Sequence, residues 1–183
     1  MRDSSEGGQM DLANHERMMI LETLIKAQPE YLDIEMNSDV DILKQVIKLA
    51  VKNKVSLIFS SHDFKKTPSY EKAYEIIDSF IKKLINELKL DDSLVKSSIY
   101  KIIFTAQKFE DNLVPLKLCK GFSQKDMKII SFCMEESGIF SRTSCVNVGS
   151  FLTYASLEDK TAPGQINIKK MREIHGLIFF TDS

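Results

Sequence analysis

Five short apolar runs, separated by longer stretches with helical spacing, constrain the fold of this chain more than any other feature. The runs are EYLDIEM (30–36), VSLIFSSH (55–62), SIYKIIFTA (98–106), KIISFCM (128–134) and FLTYAS (151–156). Each is rich in β-branched and aromatic residues and has strand length. Helical stretches follow them. Val40, Leu43, Ile47, Ala50 and Val51 mark one, and Tyr70, Tyr74, Ile77, Phe80, Ile81, Leu84 and Leu88 mark another. A helix over 108–120 is limited by Pro115, SGIFSRTS starts the next, and residues 167–180 form the last. Met10, Ala13, Leu21, Leu24 and Ile25 give a leading helix that Pro29 stops. Ser38 with Asp41 is expected to box the helix at Val40, and Thr67-Pro68 to start the helix at Tyr70. Strand–helix alternation of this kind builds a parallel sheet with helices packed outside it. The expectation is therefore an α/β fold of about five βα units in one domain spanning residues 1–183.

Two architectures accommodate five such units: an open doubly wound sheet, or most of a (βα)8 TIM-type barrel whose first strands are absent. The strand faces favour the barrel. Alternation puts Tyr31, Asp33 and Glu35 together, then Ser56, Ile58, Ser60 and His62, then Ile99, Lys101, Ile103 and Thr105. Glu35, His62 and Lys101 thus fall on comparable faces of successive strands, whereas strands of an open sheet covered on both sides are nearly all apolar.

Those faces carry the chemistry. His62 ends its strand where α/β proteins meet ligands. Lys101 sits in a run of Tyr100, Ile102, Ile103 and Phe104, where a charged ammonium is costly to desolvate. Burial or a neighbouring cation favours the neutral amine, which attacks carbonyl groups. An iminium so formed is an electron sink, and an imidazole beside it moves a proton from the adjacent carbon. Arg142, after Gly138 at a strand-to-helix junction, is suited to bidentate carboxylate binding. TAPGQI (161–166) is a loop that adds a hydroxyl and an amide. Asp33, Glu35 and Asp63 are read as structural partners.

Composition narrows the class. The 183 residues carry a formal net charge of −1, which gives no general attraction to nucleic acid. No run has transmembrane length, so no membrane partner is expected, and MRDSSEGGQM is no signal peptide. The three cysteines, at 119, 133 and 145, lack metal or redox spacing. They are read as reduced thiols of a cytoplasmic protein, two of them packed.

SSHDFKKTP, YKIIFTAQ, SFCMEESGIFSR, GSFLTYAS and TAPGQI, in that order, resemble type I 3-dehydroquinate dehydratases. RDSSEGG is similar to the family's R-S-x-x-E-G-G segment after its third strand. The resemblance implies a (βα)8 barrel that dehydrates 3-dehydroquinate to 3-dehydroshikimate in the shikimate pathway, with no metal and no cofactor. It further implies that Lys101 forms the imine, that His62 is general base and then general acid, and that Glu6 orients His62. Arg142, Thr161, Gln165 and Arg2 would hold the substrate carboxylate and hydroxyls, and Met134 and Tyr154 would line the pocket. Phe132 is likewise assigned to the lumen. Family members are often homodimers, so a homodimer is an option here.

The chain departs from the family pattern in three places. Thr161 stands where serine is usual, Phe132 replaces a methionine, and the first strands with their Glu-x-Arg segment are missing. The expectation is a sequence that begins late, through a misplaced start or as a fragment. The alternatives are a catalytically inactive fragment and a Schiff-base aldolase of the same barrel class. The His-Asp-Phe and A-P-G-Q segments fit the dehydratase better.

Overall fold

The computed structural model describes residues 13–157 and 164–178. In chain order its elements are α1 (Asn14–Lys26), β1 (Tyr31–Glu35), α2 (Val40–Asn53), β2 (Ser56–His62), α3 (Tyr70–Asn86), α4 (Asp92–Ser97) and β3 (Ile99–Thr105). There follow α5 (Leu113–Ser123), β4 (Lys128–Met134), α6 (Ile139–Ser144) and α7 (Ile168–Ile178). The four strands form one sheet in the order β1-β2-β3-β4, and β1 pairs with β2 in parallel, Asp33 opposite Ile58 and Glu35 opposite Ser60. Sequential strands joined by helices are the arrangement that a parallel sheet requires. The α/β class is therefore as expected.

The chain divides into two compact units, one of residues 13–62 with 77–101, the other of 63–76 with 102–157 and 164–178. In the first, α2 owes its start to Asp39, whose carboxylate accepts from Asp41 N at 2.8 Å and Ile42 N at 3.4 Å. Ser38 is not the cap, because its hydroxyl accepts from Arg17 Nη2 at 2.9 Å. Lys54, left-handed at φ 59°, closes α2. The helix buries Ile42, Leu43, Val46, Ile47 and Ala50 along one stripe. Phe59 packs on Phe80 at 5.0 Å and Tyr100 at 6.3 Å between ring centroids. Each such fully buried ring contributes on the order of 1.5–3 kcal/mol. Tyr100 keeps its hydroxyl satisfied by donating to Val95 O at 2.9 Å, and burial raises its pKa.

In the second unit, α3 begins beyond Ser69, whose side chain accepts from Lys72 N. Thr67 is not its N-cap; it donates instead to Thr105 O at 2.9 Å. Pro115 falls in the first turn of α5, where its missing N–H has no helical partner to lose. A short 3-10 turn, Phe109–Asn112, precedes it. All three cysteines are free and buried here, one more than the two expected, and burial pushes the Cys119 thiol up to about 12.

The fifth strand does not form. Residues 151–155 make no ladder; only isolated bridges occur, Ile129 with Ser150 and Ser156 with Asn167. Among the described residues no helix is long and apolar enough to cross a membrane.

Candidate active site

The first unit gathers five polar side chains on one strand face. β1 supplies Asp33 and Glu35 two residues apart, β2 supplies Ser60 and His62, and the start of β3 supplies Lys101. The period-two alternation aims them together while Ile34, Leu57 and Phe59 fill the other face. Lys101 Nζ donates to Asp33 Oδ2 at 2.7 Å, with only 9% of its side chain exposed. Ser60, fully buried, donates to Asp33 Oδ1 at 2.5 Å. His62 Nδ1 lies 3.2 Å from Glu35 Oε1, both side chains under 5% exposed.

Burial alone would raise the Asp33 carboxyl, but the Lys101 charge and hydrogen bond, the Ser60 hydroxyl and the His62 charge together outweigh it. Asp33 is held below the ordinary carboxylate range and is ionised at neutral pH. Of the two causes expected to favour the neutral amine, burial is present, and Asp33 sets an anion against Lys101 Nζ. With Glu35 Oε1 against Nδ1, the neutral form of the His62 ring keeps its hydrogen on Nδ1 and its lone pair on Nε2. A third group orienting the base in this way is the recurring logic of positioned acid–base pairs. Glu6, expected in that role, lies outside the described residues, as do Arg2 and Thr161. Asp33 and Glu35, read as structural partners, partner Lys101 and His62 respectively.

In the second unit Arg142 lies on α6, 2% exposed, its Cζ 4.4 Å from the Phe132 ring centroid. Its Nε has no hydrogen-bond partner, and among the described residues no carboxylate pairs with the guanidinium. Burial lowers its pKa to about 10, which still leaves it cationic at neutral pH. A buried cation without a counter-charge is costly and therefore a ready receptor for an anion.

Its position is enforced locally. Asn112 is fully buried and donates to Phe109 O and Ser137 O, while its Oδ1 accepts from Ser141 N at 3.0 Å. Ser141 Oγ accepts from Cys133 N at 2.9 Å, tying α6 to β4. Thr153 donates to Arg142 O at 2.7 Å. Gly138 permits the approach: a Cβ there would lie 2.6 Å from Cys133 C and O. Gly138→Ala is therefore expected to destabilise the fold by about 1–3 kcal/mol, lowering Tm by about 2–4 °C per kcal/mol. A thermal melt indistinguishable from the parent's would show that β4 and α6 yield freely. Tyr154 meets the Phe132 ring at 6.2 Å between centroids, and Met134 is buried at the end of β4. Gln165 follows Gly164, whose φ of 71° and close approach to the Glu135 backbone exclude a side chain.

Comparison with known proteins agrees across the chain. The family model for type I 3-dehydroquinase matches residues 1–182. The 3-dehydroquinate dehydratase of Methanococcus maripaludis strain C6 is 34% identical over 179 residues, covering 97% of this chain and 75% of that protein. That of Dehalococcoides mccartyi is 35% identical over 176 residues, covering 95% and 72%. The crystal structure of the type I 3-dehydroquinate dehydratase from Clostridium difficile, with covalently modified comenic acid, superposes with TM-score 0.80 at 27% identity. It covers all of this chain and 68% of that one. The Geobacillus kaustophilus 3-dehydroquinate dehydratase, 22% identical, shares the fold with TM-score 0.82, again over all of this chain and 67% of that one.

Proposed function

Since the chain belongs to the type I 3-dehydroquinase family, whose named members are 3-dehydroquinate dehydratases, we propose that it removes water from 3-dehydroquinate through an imine on Lys101. The observation that carries this reading is the placement of the Lys101 amine. It is buried on β3 and held by Asp33 at 2.7 Å.

The steps follow from those groups. Lys101 sheds one proton, its neutral amine attacks the substrate ketone, a carbon–nitrogen bond replaces the carbonyl, and the oxygen leaves as water with that proton and a second hydrogen from the nitrogen. The resulting iminium acidifies the neighbouring carbon. His62 Nε2 takes that proton, the freed electron pair moves toward the nitrogen, and an enamine forms. The enamine then expels the hydroxyl on the next carbon, which leaves as water with the proton that His62 returns. Glu35 holds the imidazole in register and offsets its charge between the two transfers. Hydrolysis of the iminium releases the conjugated product and restores Lys101.

Arg142 takes the substrate carboxylate. Its buried guanidinium, which no carboxylate pairs among the described residues, supports this, whereas Thr161, Gln165 and Arg2 are assigned to carboxylate and hydroxyls, and Met134 and Tyr154 to the pocket wall, from the family pattern. Cytoplasmic location accords with three thiols that remain free. The shikimate pathway is the setting that the substrate implies.

The test is direct. The chain incubated with 3-dehydroquinate and borohydride should gain one reduced adduct, found by mass spectrometry on the peptide that contains Lys101. A chain that gains none, or gains it on another lysine, lacks the proposed mechanism. Arg142→Lys should raise KM by about 10- to 100-fold, the worth of a charged hydrogen bond lost from a bidentate pair, with a smaller change in kcat. An unchanged KM would assign the carboxylate to another group.

A further inference from the structure

We propose that Asp33 is the counter-ion of the Schiff base: its Oδ2, 2.7 Å from Lys101 Nζ, holds the one hydrogen of the imine nitrogen and keeps that nitrogen cationic until the carbon–hydrogen bond breaks. This rests on the imine reading above and names a group that the reading leaves unassigned.

Charge balance carries the argument. A lysine ammonium and a ketone give an iminium and one water, R–NH3+ plus O=C going to R–NH+=C plus H2O. Two of the three nitrogen hydrogens leave with the ketone oxygen and one stays. The nitrogen is therefore monocationic both before and after condensation, and an anion set against the first state also serves the second. Asp33 is arranged for this. The Ser60 hydroxyl occupies Oδ1, so the carboxylate cannot turn, and Oδ2 is left to the nitrogen.

The other titratable groups on this face have different partners or roles. Glu35, also from β1, is engaged with His62 Nδ1, and His62 from β2 supplies the base. Asp33 is the acid at hydrogen-bond distance from the reacting nitrogen, 2.7 Å away. An electron sink works only while protonated, and an opposite charge at hydrogen-bond distance favours the protonated form by about 1–3 pH units.

The experiment compares the full chain with Asp33→Asn, using 3-dehydroquinate as the probe and two hydrides. Borohydride reduces neutral imine and iminium alike, whereas cyanoborohydride reduces the iminium. In D33N the alkaline limb of the kcat profile should move about 1–3 units to lower pH. At a pH on that limb, cyanoborohydride trapping should fall about tenfold or more while borohydride still yields the Lys101 adduct. Asp33→Glu, which restores the charge, should return the limb toward its original position. Ser60→Ala, which frees the carboxylate to rotate, should shift it in the same direction as D33N but by less, and serves if D33N does not fold. Profiles and trapping ratios that superpose on the parent's overturn the counter-ion role and leave the imine standing. Loss of the borohydride adduct in folded D33N also overturns it, since Asp33 would then be needed to form the bond. A parent chain without any adduct overturns the imine and the counter-ion together.

Discussion

Lys101→Ala is expected to abolish borohydride-trapped adduct and to lower turnover of 3-dehydroquinate by at least about 10⁴-fold, the scale on which loss of a covalent nucleophile is felt in other enzymes. The substitution removes the only amine on the strand face that bears His62 among the described residues, and neither Asp33 nor Glu35 can replace a nitrogen nucleophile. It also strips Asp33 of its cation, so a folding defect would mimic a chemical one. Lys101→Arg separates the two. Its guanidinium keeps a positive charge against Asp33 but stays protonated and cannot condense with a ketone. A folded Lys101→Arg chain without adduct and without turnover is the predicted result. An adduct that persists in either variant would move the imine to another lysine and dissolve the proposed site.

His62→Ala should act on a different step. The imine needs only the amine and the ketone, so borohydride still yields the adduct on Lys101. Elimination loses its general base and its general acid, and kcat should fall by about 10²–10⁴-fold. Accumulation of unreduced imine during turnover would be the complementary sign. The Glu35 carboxylate sits against the ring, and its removal should cost less than removal of the ring itself, because it acts through the imidazole. A His62→Ala chain that turns over within tenfold of the parent would take the proton transfer away from this residue.

How much of this was legible beforehand depends on the range of the interaction concerned. The runs at β1, β2, β3 and β4 announced themselves because each concentrates β-branched and aromatic residues over the length of a strand. The lysine inside one of them was conspicuous because a charged ammonium is costly to desolvate. Caps were misjudged by a residue or two at Ser38 and Thr67. Several hydroxyls and carboxylates stood close enough to compete for the same backbone N–H, and distant partners, Arg17 and the Thr105 carbonyl, had already claimed the nominated ones. The helix α4 went unread because DSLVKS is too short to show a period; Asp91, accepting from Leu94 N at 2.8 Å, is what starts it. FLTYAS shows the opposite error. Its residues suit a strand, but a ladder needs a neighbour in register, and among the described residues only the isolated bridges at Ser150 and Ser156 form.

The amino-acid order by itself determined the α/β class, the inward lysine and the histidine at a strand end, since periodicity and the cost of burying charge are local properties. It also carried the family's motifs in sequence. Only the tertiary structure decided which carboxylate serves which partner, Asp33 the Lys101 amine and Glu35 the His62 ring. Both acids look alike along the chain, and the pairing follows from the parallel register of β1 against β2, which sets Glu35 opposite Ser60 and beside His62 and brings Asp33 within reach of β3.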